Sequence, residues 1–189
     1  MADIVARVKA LLMEPAREWP AIAAEPADTK SLILGYAAIL SLIPAVVGLL
    51  TVWLLVGLMP MHFGFGSMLL HTIVRYIIGL GAIWVVGKII QTLAPMFDGS
   101  NDEVSAMKLS VYAPTASWVA SIFLLIPLVG FIVALVGLGY SIYLFYLGAP
   151  VVVRIPAAKA APFTAAVAVS AIVLFIAIGW LTGRIIPSF

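Results

Sequence analysis

The sequence predicts an all-α polytopic membrane protein, a bundle of five transmembrane helices preceded by a short interfacial amphipathic helix. Of its 189 residues, 65% are apolar and 10% are charged, whereas ordinary globular domains are about 45–50% apolar and about 25% charged. Asp, Glu, Lys and Arg are absent from 31–74, 109–153 and 160–183. Because a helix needs about 20 apolar residues to cross a bilayer, the first two stretches fit two crossings each and the third fits one.

The N-terminal residues 3–14 have the spacing of an amphipathic helix. Its apolar positions fall at i, i+4, i+7 and i+8 and are Ile4, Val8, Leu11 and Leu12. We expect this helix to lie in the interface plane beside the bundle and Pro15 and Pro20 to interrupt it. Trp19 suits the headgroup level. The alternative is an N-terminal tail without fixed structure.

The first two predicted spans cover residues 32–58 and 68–93, with a short loop at 59–67 between them. Pro44 lies inside the first span and predicts a kink, because proline removes a backbone hydrogen bond. Three polar residues can cap the start of this span, namely Asp28, Thr29 and Ser31.

A polar turn precedes the third predicted span, which covers residues 104–125 and contains Pro114. Ser100 and Glu103 have the spacing of a capping box, with Ser100 at the N-cap and Glu103 three residues later. This capping role explains the acidic turn more simply than a cation site does.

A tight hairpin is predicted at 126–130, because one continuous helix over the whole uncharged stretch would overshoot any bilayer. The fourth span then continues to about residue 152. The fifth begins with Pro162 in its first turn and continues to about residue 185. Residues 1–30 are therefore predicted as a cytoplasmic interfacial segment and 31–189 as the transmembrane domain.

Lysine and arginine are distributed unevenly between the two predicted membrane faces. One face carries Arg7, Lys9, Arg17, Lys30, Lys108, Arg154 and Lys159; the other carries Arg184, with Arg75 near it. The positive-inside rule predicts a cytoplasmic N-terminus and a C-terminus outside.

Arg75 and Lys88 lie in the interior of the second predicted span, where burying a charge costs several kcal/mol. They are 13 residues apart, about 20 Å of helix axis, so both can extend to opposite membrane faces as anchors. That is the favoured interpretation. The functional alternative uses His71, which shares a helix face with Arg75. In it, His71 and Arg75 are the candidate binding residues of a polar, outward-open pocket for an anion.

Two further patterns leave alternatives open. Tyr140, Tyr143 and Tyr146 favour an interfacial aromatic belt, with ligand binding as the less favoured use. Small residues recur four apart, which lets helices pack closely within the chain or in a homo-oligomer. The small residues spaced four apart are Ala37-Ser41-Ala45, Ala113-Ser117-Ser121, Gly130-Ala134 and Gly137-Ser141.

Several function classes find no support. The chain has no cysteine, and its two histidines give little support to a metal site. It contains no nucleophile elbow, zinc-protease motif or P-loop. The net charge of +2 does not indicate nucleic-acid binding. We expect no enzyme activity, no cofactor and no metal.

Short motifs along most of the chain resemble the Yip1-domain family, bacterial branch. They are Pro15 to Trp19, Phe97-Asp98-Gly99, Met107 to Pro114, Ile126 to Gly130, Tyr143 to Pro150 and Lys159-Ala160. The resemblance implies five spans, a cytoplasmic N-terminus and location in a bacterial inner membrane. Eukaryotic members act in vesicle traffic and associate with Rab GTPases, but nothing in this sequence indicates a Rab-binding surface.

Two functional hypotheses follow. The leading one is a non-enzymatic protein that organises the lipid bilayer or partner proteins, as a homo-oligomer or with other chains. The alternative is a channel or transporter for a small solute or ion, lined by the proline-kinked first and third spans. In that case the carbonyls freed by the prolines, at Leu40 and Ser110, would serve as ligands.

Overall fold

Every regular element that the structure describes is helical. The computed structural model describes residues 3–57, 64–126 and 128–185. Its α-helices are α1 (Ile4–Met13), α2 (Pro15–Ala24), α3 (Thr29–Leu32), α4 (Ala38–Gly57), α5 (Phe65–Leu93), α6 (Glu103–Tyr112), α7 (Thr115–Ala120), α8 (Val129–Val152) and α9 (Ala157–Ile185). A π-helical turn joins α3 to α4, and 3₁₀ turns follow α5 and α7; these are Ile33–Ala37, Ala94–Phe97 and Ser121–Leu125.

Five helical stretches are long and apolar enough to cross a membrane. They are Thr29–Leu54, Phe65–Phe97, Glu103–Leu125, Val129–Val152 and Ala157–Arg184, here called span 1 to span 5. The predicted all-α polytopic bundle of five spans is thereby confirmed. The predicted loop at 59–67 lies largely outside the described residues, which resume at Gly64.

The N-terminal segment consists of two helices packed on the bundle, α1 against α7 and α2 against α6 and α8. Pro15 is the first residue of α2, and Pro20 lies inside it without ending it. The predicted headgroup position of Trp19 is wrong, because its side chain is fully buried. Its indole packs on Gly148 of α8, where a Cβ atom would lie 2.7 Å from the ring. The missing side chain of Gly148 therefore makes room for the indole.

Span 1 begins at one of the three predicted caps. The Asp28 carboxylate accepts a hydrogen bond from the backbone N–H of Ser31 at 2.9 Å, and Ser31 completes a capping box. Pro44 lies inside α4, as predicted.

The predicted capping box of span 3 is wrong. The N-cap of α6 is Asp102, whose carboxylate accepts from the backbone N–H of Ser105 at 2.7 Å. Ser100 instead donates its backbone N–H to the carbonyl of Val153, at 2.8 Å. This contact between two loops keeps the chain outside the helix until Asp102.

Pro114 divides span 3 into α6 and α7. Hydroxyl groups of the same span satisfy the carbonyls around this break. Thr115 donates to Tyr112, Ser117 to Pro114 and Ser121 to Trp118, over 2.6–2.9 Å. The break is therefore stabilised from within the span.

Span 4 returns along span 3 after the predicted hairpin, of which Pro127 lies outside the described residues. The N–H of Gly130 donates to the carbonyl of Ile126 at 2.8 Å, and a Cβ atom at Gly130 would clash with the backbone of span 3. Further along, Ser141 Oγ accepts from the backbone N–H of Ser117 at 3.0 Å. These small residues of α8 pack within the chain.

The predicted place of Pro162 in the first turn of span 5 is wrong, because α9 begins five residues earlier, at Ala157. Residues 157–161 are four alanines and a lysine, which all favour a helix. The helix therefore extends back to Pro156, whose carbonyl accepts from the N–H of Lys159.

Tight packing is concentrated at the end of the bundle that carries the N-terminal segment. The buried residues of α9 all lie between Ala160 and Val167, while the exposed large apolar residues of α9 follow from Val169 onwards. Similarly, the buried residues of α5 lie between Ala82 and Ile90. The opposite half is loosely packed and contains the largest cavity described below.

Candidate binding cavity between the first two spans

A cavity of about 610 Å³ lies between α4 and α5, within the usual size of small-molecule sites. The α4 wall is largely apolar and includes Pro44, Gly48, Leu49 and Val52. The α5 wall carries most of the polar groups, from Ser67, His71, Thr72, Arg75 and Tyr76. Trp118 of span 3 and Phe175 of span 5 also line the cavity. The cavity is therefore amphipathic, with a cation on one wall.

Both predicted binding residues, His71 and Arg75, line this cavity. They are one helical turn apart on one face of α5, and Gly79 continues that face one turn further. Gly79 also lines the cavity, and a Cβ atom there would meet nothing within 4 Å. The two side chains thus stand above an open space.

Arg75 has no carboxylate partner in the described part of the chain. Its side chain forms none of the five salt bridges found there. All eight acidic residues of the sequence fall within 3–28 and 98–103, in the loops and helix ends of the opposite half. No Asp or Glu side chain therefore neutralises the guanidinium charge in the described part of the chain.

Lys88 and Arg75 lie at different levels of span 2. The Lys88 ammonium pairs with Glu103 at 2.8 Å, at the start of span 3. Arg75 lies 13 residues away, about 20 Å along the helix, and therefore belongs to the half of the bundle opposite to that ion pair. Because the Cα–Cβ bonds of a helix tilt towards its N-terminus, the Arg75 side chain leaves the helix on the His71 side.

Two further polar groups fix or line the cavity. The Tyr76 hydroxyl donates to the carbonyl of Ala38 at 2.7 Å and ties α5 to span 1. Ser41 Oγ is buried and has no hydrogen-bond partner among the described residues. Sequence reasoning missed the Tyr76 hydrogen bond, because it joins two spans that are distant in the sequence.

A second, smaller cavity of about 280 Å³ surrounds the break at Pro114. Ser110, Ser117 and Thr164 line it, and each of their hydroxyls donates to a backbone carbonyl. Trp118 and Phe175 contribute to the walls of both cavities.

The distribution of acidic residues does not favour the channel or transporter, since no Asp or Glu lies between 31 and 97 or beyond 103.

A buried ionic cluster holds the N-terminal segment on the bundle. Arg7 is only 8% exposed and pairs with both Glu18 and Glu25. Lys108 is 5% exposed, and its Nζ donates to the carbonyls of Ala23 and Glu25 at 3.1 and 2.5 Å. Two cations thus face two carboxylates and the carbonyl end of α2, which itself favours positive charge.

Sequence reasoning missed this cluster. Lys108, expected at the cytoplasmic membrane surface, is buried inside span 3, and Arg7, expected at the same surface, is buried as well. Lys108 is the only charged residue in the sequence between Val104 and Val153. This isolated charge was the feature of the sequence that could have indicated a buried cation.

The three tyrosines of α8 differ in their surroundings. The Tyr140 hydroxyl donates to the carbonyl of Leu12 in α1 at 2.8 Å, so it fastens the N-terminal segment. Tyr143 and Tyr146 are 47% and 40% exposed, as residues of an aromatic belt would be.

Comparison with known proteins identifies the family of this chain. The family model described as the Yip1 domain matches residues 9–179. The chain belongs to the Yip1-domain family. Neither a curated protein nor a solved structure matches it. The Yip1 match begins within α1 and ends within α9, so it includes α2 and most of the five spans.

Residues that carried the Yip1 resemblance meet at the end of the bundle that holds the N-terminal segment. Asp98 pairs with Lys159, and Phe97 packs on Phe163, with 5.5 Å between the ring centroids. A Cβ atom at Gly99 would lie 2.9 Å from the carbonyl oxygen of Val153. These contacts join the loop between spans 2 and 3 to the start of span 5.

Proposed function

We propose that this Yip1-domain protein is a non-enzymatic membrane organiser whose docked N-terminal segment presents a contact surface to lipid or partner proteins. The proposal includes a cytoplasmic N-terminus, an outside C-terminus and a bacterial inner membrane. It treats residues 1–30 as the contact segment and 31–189 as the domain that holds it. The observation that carries it is the buried ionic cluster beneath α1 and α2.

The cluster makes the segment a fixed surface. A buried cation that loses its partner is strongly unfavourable, so Arg7 and Lys108 are each satisfied only when α2 is docked. Tyr140 adds a bond to α1. A segment held in this way loses little conformational freedom when it binds, and preorganisation of this kind increases affinity.

The face of α1 directed away from the bundle combines apolar groups with a cation. Val5 and Met13 are 73% and 70% exposed, and Lys9 is exposed between them. The three residues follow one another at intervals of four, on one helix face. An exposed apolar and basic stripe is suited to the anionic headgroup region of a membrane or to an acidic partner surface.

The cation distribution supports the orientation. Lys9, Arg17, Lys30 and Arg154 are exposed at the end of the bundle that carries the segment. Excess lysine and arginine are typical of cytoplasmic loops.

Site-specific photo-crosslinking in native membranes tests the proposal. A photoreactive residue at Val5 or Met13 should form adducts with lipid or with another protein, and Lys9→Glu should weaken them. Arg17→Glu is the matched control, because Arg17 lies outside the stripe and pairs with Glu14. A probe at the exposed span residue Val173 serves as a positive control for lipid adducts. Absence of adducts at both α1 positions, while Val173 reacts, would contradict the proposal.

A further inference from the structure

We propose that the cavity between α4 and α5 binds one anionic glycerophospholipid, with its phosphate at Arg75 and an acyl chain over Gly79 and along α4. This site lies in the half of the bundle opposite to the N-terminal segment. It is independent of the proposed contact surface on α1.

The charge of Arg75 favours an anionic ligand. No Asp or Glu side chain pairs with it in the described part of the chain, and the residue lies inside the candidate membrane span Phe65–Phe97. An uncompensated guanidinium within a bilayer costs several kcal/mol. Arginine binds phosphate through two parallel N–H donors, which is the geometry that stabilises such a pair most strongly.

The surroundings of Arg75 match a lipid better than a free ion. The polar groups occupy the α5 wall, while Gly48, Leu49 and Val52 form an apolar wall facing them. Gly48, like Gly79, would meet nothing within 4 Å if it carried a Cβ atom. A small inorganic anion would leave this apolar space unfilled, whereas an acyl chain would fill it.

The headgroups of the adjacent membrane leaflet provide the phosphate for this site. Arg75 leans towards the membrane surface opposite the N-terminal segment, so the phosphates of that leaflet are its nearest anions. Ser67 and Thr72 line the same wall and place two hydroxyl oxygens near the headgroup. Their own donations go to backbone carbonyls, which leaves their oxygens as acceptors for hydroxyls of a glycerol headgroup.

The test measures lipid retained by the purified protein after extraction from vesicles of phosphatidylcholine with one fifth phosphatidylglycerol. Native mass spectrometry should show one phosphatidylglycerol bound preferentially to the wild type. Arg75→Gln should lower that affinity by about tenfold or more, and Arg75→Lys should lower it less. Arg184→Gln is the charge-matched control, because Arg184 lies near the same end of the bundle but contacts Trp180 and lines no wall of the cavity.

A second pair of variants tests the chain-binding part without changing charge. Gly79→Leu should fill the open space and reduce retention to the level of Arg75→Gln, while Gly179→Leu should leave it unchanged. Gly179 also has no atom within 4 Å of a Cβ position but lies outside the cavity. Both substitutions favour a helix, so folding is retained in each.

The possible outcomes are decisive. Equal retention of phosphatidylcholine and phosphatidylglycerol, or an equal loss in Arg184→Gln and Arg75→Gln, would overturn the site. Full retention in Arg75→Gln would identify Arg75 as an anchor only. Displacement of the lipid by inorganic phosphate at equal concentration would identify a free-anion site and overturn the lipid assignment.

Discussion

The ammonium group of Lys108 donates a hydrogen bond to the main-chain carbonyl oxygen of Glu25, although 83 residues separate them in the chain. The acceptor lies just beyond the C-terminal end of α2, where a cation is favoured by the helix dipole. Through this contact span 3 fixes the N-terminal segment. The segment is thus part of the folded bundle.

Replacing Lys108 should undock the segment. Lys108→Met keeps the length and apolar packing of the side chain but removes every donor, so we expect the free energy of unfolding to fall by about 2–4 kcal/mol. Denaturation in mixed micelles of increasing SDS content measures this change. Lys159→Met is the control, because its ion pair with Asp98 is largely exposed and should contribute less than about 1 kcal/mol. Equal losses would show that Lys108 has no special role.

Neighbouring glycines of α8 should respond in opposite ways to alanine. A Cβ atom at Gly137 would clash with Ala120 of span 3, whereas one at Gly139 would meet nothing within 4 Å. Gly137→Ala should therefore destabilise by about 1–3 kcal/mol. Gly139→Ala should be neutral or stabilising by up to about 1 kcal/mol. The same SDS titration measures both, and a neutral Gly137→Ala would argue against this packing of spans 3 and 4.

The N-cap of span 3 should make a pH-dependent contribution. Hydrogen bonds from the side chain and backbone of Ser105 lower the pKa of Asp102 below its ordinary 3.8. The stabilisation is therefore complete above pH 3.8 and is lost as the pH falls through the folded-state pKa. Asp102→Ala should cost about 1 kcal/mol at neutral pH, while Asp102→Asn retains most of the cap and does not titrate. Unfolding of the three proteins between pH 7 and pH 3 checks this; identical pH profiles would contradict it.

The proposed topology predicts opposite sides for two reporters. Five spans place the loop at Asn101 on the cytoplasmic side and the C-terminus outside. Fusions of a reporter that is active on only one side of the membrane, inserted at Asn101 and after Phe189, should give opposite signals. Signals from the same side would refute either the span number or the loop position.

The sequence was sufficient for the fold because its main determinants are local. Charge-free stretches specify the five spans, and Pro114 marks the break within span 3. Spacing of four also placed His71 and Arg75 on one face, and both line one cavity. That part of the candidate site follows from helix geometry alone.

The features that the sequence analysis missed depend on contacts between residues that are far apart in the chain. The N-cap of α6 is Asp102 and not the predicted Ser100, because the backbone N–H of Ser100 bonds to the carbonyl of Val153. Trp19 is buried because Gly148, far along the chain, leaves room for its ring. Nothing local distinguishes such residues from a solvated or interfacial position.

Cysteine accessibility tests docking of the N-terminal segment most directly, since the chain has no cysteine of its own. Leu11 is fully buried and the Arg17 side chain is 85% exposed, although both belong to the N-terminal segment. In membranes opened to a water-soluble maleimide, Arg17→Cys should react quickly and Leu11→Cys should stay protected until Lys108→Met is added. Equal and rapid labelling of both positions in the otherwise native chain would contradict a docked segment.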